Sequence, residues 1–108
     1  MANETAAWRA LKRHGKTIGK TTLRALFAAD ARRFARLSLK VDGLLLDYSK
    51  NRLTRRTITL LSALAEEAGI AARRDAMFAG EAINTTEKRA VLHTALRNLS
   101  DTPVLVDG

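Results

Sequence analysis

The 108-residue sequence contains no cysteine, which excludes disulfide bonds, thiolate metal sites and cysteine nucleophiles. It has no hydrophobic run near the roughly 20 residues that a membrane-spanning helix needs, and no apolar signal-peptide core follows its N-terminus. Pro103 is the only proline, and no repeat or low-complexity tract divides the chain. These absences predict a soluble, cytoplasmic chain in one segment, residues 1–108, with no membrane partner.

Acidic residues are scarce in the first half of the sequence. Residues 1–56 hold 14 lysines and arginines against four acids, a net charge of +10, whereas residues 57–108 hold five bases against seven acids, a net charge of −2. This asymmetry indicates a surface for nucleic acid or membrane, or else a piece of a larger protein whose other parts supply the balancing acids. Composition alone leaves these alternatives open.

The first helix is predicted over about residues 4–14. Asn3 or Thr5 caps its beginning, and Gly15 ends it. Its apolar face contains Ala7, Trp8 and Leu11.

A second helix is predicted to begin at Thr21 or Thr22. Asp30 falls on the apolar face of this stretch, so it either breaks the stretch into two short helices or pairs with a nearby arginine. The break is the favoured interpretation. The apolar residues at helical spacing are Leu23, Leu26, Phe27 and Phe34.

The period changes at residue 37. Apolar and polar residues alternate over residues 37–41, which is typical of a half-buried strand. Asp42 and Gly43 then form the dipeptide best suited to a tight hairpin turn, because both positions of that turn need positive φ. With the returning strand, the sequence predicts a hairpin over about residues 37–48. The predicted class is mainly α with one short antiparallel β-hairpin.

Two further helices are predicted in the second half. Thr54 caps a long helix that runs through Ala68, with Gly69 just past its end. A short helix over about residues 70–79 follows and stops at Gly80. The expected apolar stripe of the long helix contains Ile58, Leu61, Leu64 and Ala65.

Asn84 and Glu87 have the spacing of a capping box, which predicts that another helix begins there. Residues 103–108 have the pattern of a strand that begins with no partner left to pair with. The sequence therefore predicts a chain that stops within a structure. The expected apolar face of the last helix contains Val91, Leu92, Ala95, Leu96 and Leu99.

Residues 15–21, GKTIGKT, invite comparison with a phosphate-binding loop. That motif requires four residues between its glycines and a strand before the first glycine. Here three residues separate Gly15 from Gly19, and a helix precedes them. A basic loop between two helices is the favoured interpretation.

Residues 64–74 have the pattern of a helix-turn-helix, with Gly69 in the turn and Arg73 and Arg74 opening the second helix. This pattern supports the alternative function of a small basic nucleic-acid-binding module. This nucleic-acid-binding function is disfavoured because the segment lies in the half whose net charge is −2. Contacts to phosphates would need an excess of basic side chains there. Two packed helices with solvated arginines are the simpler interpretation.

No catalytic, substrate-binding, cofactor-binding or metal-binding residue is predicted. His14 and His93 are the only histidines, and neither has a metal-ligand companion at helical spacing. Ser49 and Lys50 could suggest an activated nucleophile, but adjacent side chains on a strand point to opposite faces. We expect Asp47 and Lys50 to serve in ion pairing instead.

Residues 44–51, LLLDYSKN, resemble the strand-and-turn signature near the start of glucose-6-phosphate isomerases. Two further stretches agree with that family in order and spacing. They are residues 77–97 and the group Leu26, Phe27, Asp30, Arg33 and Phe34. The resemblance runs from Trp8 to Gly108, which is nearly the whole chain.

The resemblance implies the N-terminal part of the large domain of a larger α/β sandwich enzyme, typically a cytoplasmic homodimer. That family interconverts glucose 6-phosphate and fructose 6-phosphate in glycolysis and gluconeogenesis, without a metal or nucleotide cofactor. A histidine assists ring opening, and a glutamate moves a proton between neighbouring carbons.

The family's catalytic Glu, His, Arg and Lys lie beyond the matched stretch, so no such role carries over to Glu87 or His93. The chain alone is therefore expected to be inactive. Its expected partner is the remainder of the parent chain, and hexose 6-phosphate is expected to bind only the full-length enzyme.

Overall fold

The computed structural model describes residues 4–106, which form two compact units that meet in sequence at Leu64 and Ala65. Within the described residues the chain is mostly helical, with one antiparallel hairpin, so the predicted class is confirmed. No helix in this range is long and apolar enough to cross a bilayer. The elements are α1 Ala6–Ile18, α2 Leu23–Ala29, α3 Arg33–Arg36, β1 Ser38–Val41, β2 Leu44–Asp47, α4 Arg55–Glu67 and α5 Ile70–Phe78.

Helix α1 begins where Thr5 caps it, with the Thr5 hydroxyl accepting from the amide of Trp8 over 3.1 Å. The predicted end at Gly15 is wrong, because the helix continues to Ile18 and Gly19 caps it. A glycine inside a helix costs only about 1 kcal/mol relative to alanine, which contacts elsewhere can offset. Asn3 lies outside the described residues.

Helix α2 begins at the predicted cap, where the Thr22 hydroxyl accepts from the amide of Ala25. It ends before Asp30, so the predicted break is confirmed. The Asp30 carboxylate then accepts from the amide of Arg32 over 3.0 Å and forms a salt bridge with Arg36 at 3.4 Å. Asp30 therefore both ends one helix and pairs with an arginine of the next.

The hairpin pairs β1 with β2 in antiparallel register, from Ser38 opposite Asp47 to Val41 opposite Leu44. Asp42 and Gly43 form the turn with φ of 47° and 80°, which confirms the predicted dipeptide. The expected half-burial is wrong, since the described residues cover neither face of the strands. The exposed apolar side chains are Leu39, Val41, Leu44, Leu45 and Leu46.

Helix α4 begins at Thr54, whose amide donates to the Thr57 hydroxyl over 2.9 Å while the Thr57 amide donates to the Thr54 hydroxyl. The helix spans Arg55–Glu67, and α5 follows directly after Gly69, as predicted. The buried residue of α4 is Leu60, which the predicted stripe omits. The stripe is therefore wrong about the side chain that anchors this helix.

The capping box at Asn84 exists, because its side-chain oxygen accepts from the amide of Glu87 over 3.2 Å. It closes a turn rather than a helix: the backbones of Asn84 and Arg89 pair across it, and Lys88 has a φ of 52°. The predicted helix behind it is wrong. Only a short 3-10 turn, Ala95–Arg97, forms there within the described residues.

Residues 103–106 form no strand, and residues 107–108 of the predicted strand lie outside the described residues. Leu105 instead passes against Gly80, so closely that a β-carbon on Gly80 would lie 2.1 Å from the carbonyl oxygen of Leu105. Gly80 is buried and has a φ of 77°. The glycine predicted to stop α5 thus also leaves room for the later segment.

Candidate functional site

The most specific polar arrangement in the first unit is the buried guanidinium of Arg33, which is 4% exposed. Its three nitrogens donate to three backbone carbonyls: Nε to Ser49 over 2.8 Å, Nη2 to Asn51 over 2.8 Å, and Nη1 to Leu53 over 2.9 Å. The aromatic ring of Phe27 lies 5.4 Å from its Cζ atom. We call residues 47–53 the exit loop, because they leave the hairpin and lead to α4.

Local structure explains why Arg33 reaches the exit loop. The turn at Asp30 sets Arg33 at the first position of α3. The hairpin then returns the chain beside its own start, where the amide of Tyr48 donates to the carbonyl of Leu37 over 2.9 Å. A planar guanidinium with several donors suits converging carbonyls, whereas a lysine ammonium would act as a single point charge.

The polar cluster at the strand end is built around Ser49, which is 1% exposed. The amide of Ser49 donates to the Asp47 carboxylate over 2.9 Å. The Ser49 hydroxyl also donates to that carboxylate; this bond is the largest of the effects that hold the pKa of Asp47 below its ordinary value of 3.8. The amide bond lowers this pKa further, and so does the charge of Lys50.

This geometry excludes Ser49 and Lys50 as a nucleophile and base. Ser49 is buried, Lys50 is exposed, and the Ser49 hydroxyl is engaged with Asp47. The expected ion pair of Asp47 with Lys50 does not form within the described residues; the charge of Lys50 lowers the pKa of Asp47, but less than the hydrogen bonds from Ser49 do. The buried Ser49 and the Asp47 carboxylate therefore shape the exit loop.

The two histidines lie in different settings. His14 Nε2 forms a hydrogen bond of 2.7 Å with the Thr57 hydroxyl, which ties α1 to the beginning of α4. The backbone carbonyl of His93 accepts from Arg97, and Glu87 belongs to the turn at Asn84. Within residues 4–106, no three histidine or acidic side chains are grouped so that they could hold a metal ion.

The two motif interpretations that the sequence disfavoured gain no geometric support. Gly15 lies inside α1, so residues 15–18 are helical and cannot curl around a phosphate as a phosphate-binding loop does. Arg74 donates to the neighbouring Asp75, with its Nη2 2.8 Å from Oδ1, so much of its charge is compensated. Arg73, Arg74 and Asp75 are exposed, as the simpler interpretation expected.

Sequence reasoning missed the arginines. Arg33 was identified only as part of a family resemblance, and nothing assigned it to the exit loop. Arg32, Arg36 and Arg55 line an open groove of about 550 Å³ in the first unit. The spacing of Arg32 and Arg36, one helical turn apart beside an acidic cap, was the signal that could have found this groove.

Comparison with protein families gives a match to the family described as phosphoglucose isomerase, over residues 47–108. The match begins at the first residue of the exit loop.

Curated relatives named glucose-6-phosphate isomerase match almost the whole chain. The relative from Methylococcus capsulatus is 52% identical over 107 residues, which cover 99% of this chain and 20% of the relative. That from Mycolicibacterium smegmatis is 57% identical, with 97% of this chain and 19% of the relative covered. That from Agrobacterium fabrum is 58% identical, with 90% and 18% covered. The chain therefore spans about a fifth of the length of these relatives.

Proposed function

Because the chain belongs to the phosphoglucose isomerase family, we propose that it forms the N-terminal part of the large domain of a glucose-6-phosphate isomerase. The complete enzyme would interconvert glucose 6-phosphate and fructose 6-phosphate in the cytoplasm, in glycolysis and gluconeogenesis, and would act as a homodimer. The observation that carries this proposal is the match of relatives with that name over 90% or more of the chain.

Within that enzyme these residues have a structural role. Proton transfer between carbons needs a base within hydrogen-bond reach of the substrate and donors for the developing oxyanion. The buried guanidinium of Arg33 donates to backbone carbonyls, and the Asp47 carboxylate accepts from Ser49. Both groups serve the exit loop, so the proposal assigns catalysis to the remainder of the enzyme.

The hairpin supplies a second argument for a structural role. Leu44, Leu45 and Leu46 are consecutive on β2, so they point to both faces of the strand, and each is more than half exposed. Strands with continuous aliphatic sequence are typical of sheets that are covered on both faces. We therefore propose that the remainder of the isomerase chain covers this hairpin, and that the remainder is the partner of these 108 residues.

A chimera tests the proposal. The chain replaces the corresponding fifth of the Methylococcus capsulatus relative, and fructose 6-phosphate turnover is followed by oxidation of the glucose 6-phosphate formed. We expect the chimera to be active and the purified 108-residue chain to be inactive. A chimera that folds and forms dimers without turnover contradicts the proposed family role. Turnover by the 108 residues alone contradicts the structural role.

A hairpin variant tests whether the remainder of the enzyme covers the hairpin. Leu45→Lys in the chimera places a charge on a strand that the proposal buries, and we expect it to reduce the yield of folded chimera. Lys12→Glu, on α1 and exposed, is the matched charge control. If both variants fold equally well, the hairpin stays uncovered in the complete enzyme.

A further inference from the structure

The arginine groove is a concave surface whose arginines are distinct from Arg33, the residue that anchors the exit loop. We define it by Arg32, Arg36 and Arg55, together with Tyr48 and Ile58. Its volume of about 550 Å³ lies within the range of small-molecule sites, which is roughly 300–1,000 Å³. The lining residues come from the turn before α3, from α3, from the exit loop and from the first two turns of α4.

The positive charge of the groove is only partly compensated. Arg36 Nη2 lies 3.4 Å from the Asp30 carboxylate in an exposed salt bridge. Within residues 4–106, neither Arg32 nor Arg55 forms a salt bridge with a carboxylate. Arg32 and Arg55 therefore line the groove without an acidic partner. The third arginine, Arg36, has a carboxylate partner, but both side chains of that pair are partly exposed to solvent. An anion bound in a groove lined by several like charges offsets their mutual repulsion.

The chemistry of the lining selects among anions. Guanidinium groups bind phosphate oxygens through paired, charge-assisted hydrogen bonds. A phosphate monoester carries about 1.5 to 2 negative charges at pH 7, which matches the two uncompensated arginines. Tyr48 and Ile58 add an aromatic and an aliphatic surface beside them. We propose that the groove binds a phosphoryl group, either as inorganic phosphate or at the end of a small phosphate ester.

The experiment is a titration of the 108-residue chain with inorganic phosphate and, separately, with glycerol 3-phosphate, at constant ionic strength set with sodium chloride. Amide shifts in the NMR spectrum report the site, and calorimetry reports the Kd. We expect saturable binding with shifts confined to residues near Arg32, Arg36 and Arg55. A tighter Kd for the ester identifies contacts to Tyr48 and Ile58, whereas equal values identify the phosphate group alone.

Matched variants distinguish this site from general positive charge. Arg55→Gln removes one uncompensated guanidinium and should weaken the Kd about tenfold, the effect of losing a hydrogen bond to a charged group. Arg24→Gln removes the same charge from α2, outside the groove, and should change the Kd by less than about twofold. Arg32→Gln provides a second groove variant if Arg55→Gln alters the fold.

Three results overturn the proposal. The first is an equal loss of affinity in the groove variants and in Arg24→Gln. The second is phosphate binding that does not saturate. The third is binding to duplex DNA alone, with an affinity that falls steeply with salt, because that behaviour reports diffuse charge over the basic half.

Discussion

Arg33 Nε donates to the carbonyl oxygen of Ser49 over 2.8 Å, between two residues that are 4% and 1% exposed. Sixteen positions of sequence separate them, and the whole hairpin lies between. The bond therefore closes a loop: it fixes where the chain leaves the hairpin relative to where α3 begins. The two other donors of Arg33 extend that control to Asn51 and Leu53, just before α4.

Replacing Arg33 should destabilise the first unit more than any exposed arginine does. Arg33→Met leaves three carbonyls without their donor, and we expect the free energy of unfolding to fall by about 3 kcal/mol, since each unsatisfied buried group costs about 1–3 kcal/mol and part of the loop can reach water. Urea unfolding followed by fluorescence of Trp8, the only tryptophan, measures the change.

Two further variants show whether the loss in Arg33→Met comes from the hydrogen bonds of its guanidinium. Arg33→Lys keeps the charge but not the planar fork, so its loss should be intermediate. Arg24→Met, on the exposed side of α2, should change the free energy of unfolding by less than about 0.5 kcal/mol. An effect of Arg33→Met as small as that of Arg24→Met contradicts the anchoring role.

The Asp47 carboxylate should titrate below its ordinary pKa of 3.8. A depressed pKa in the folded state means that this group stabilises the fold above pH 3.8, and that its contribution is lost as the pH falls through the lower, folded-state pKa. Ser49→Ala removes the largest cause of the depression, so the pKa of Asp47 should rise towards 3.8. Carbon-detected NMR titration of the Asp47 carboxyl measures both values.

A second serine provides the control for that titration. Ser62 is exposed on α4, away from the hairpin in sequence, and Ser62→Ala should leave the pKa of Asp47 unchanged. A pKa of Asp47 that does not move in Ser49→Ala would show that the hydroxyl bond is absent in solution.

Gly15→Ala should stabilise the first unit by about 0.5–1 kcal/mol, because alanine is the better residue inside a helix. Gly15 lies within α1, and a β-carbon added there would meet nothing within 4 Å. The urea midpoint and the amide exchange of residues 15–18 measure the effect. A decrease in stability would instead support the sequence prediction that α1 ends at this glycine.

Local signals predicted the elements whose structure depends on neighbouring residues. Thr22, Thr54 and the Asp42–Gly43 turn act through hydrogen bonds or φ angles within four residues, so their patterns could be interpreted directly. At Asn84 a local signal gave a wrong prediction, because no α-helix follows the capping box within the described residues. Its capping bond to Glu87 forms as predicted, but the backbone pairing with Arg89 turns the chain back before a helix can propagate.

Contacts between residues distant in sequence determine two features that the sequence patterns did not predict: where α1 ends and why Arg33 is buried. Gly15 has a low helix propensity, yet α1 continues past it. The neighbouring His14 forms a hydrogen bond with Thr57, 43 positions later in the sequence. Arg33 has the appearance of a surface residue, since arginine is almost never fully buried unless it is paired. Its partners are backbone carbonyls, which every residue carries, so no sequence pattern could identify them.

Gly80→Ala should displace the segment around Leu105 from the second unit. A β-carbon at this position would lie 2.1 Å from the Leu105 carbonyl oxygen, which is backbone and cannot rotate away, and the φ of 77° adds the strain of a left-handed alanine. We expect large amide shifts at Leu105 and Val106.

Gly43→Ala separates the two causes, because Gly43 has a φ of 80° but nothing within 4 Å of its added β-carbon. That variant should lose only the cost of the backbone conformation, about 1–2 kcal/mol, and should shift amides only near its own turn. If Gly80→Ala leaves Leu105 unshifted, the close approach of these two backbones does not persist in solution.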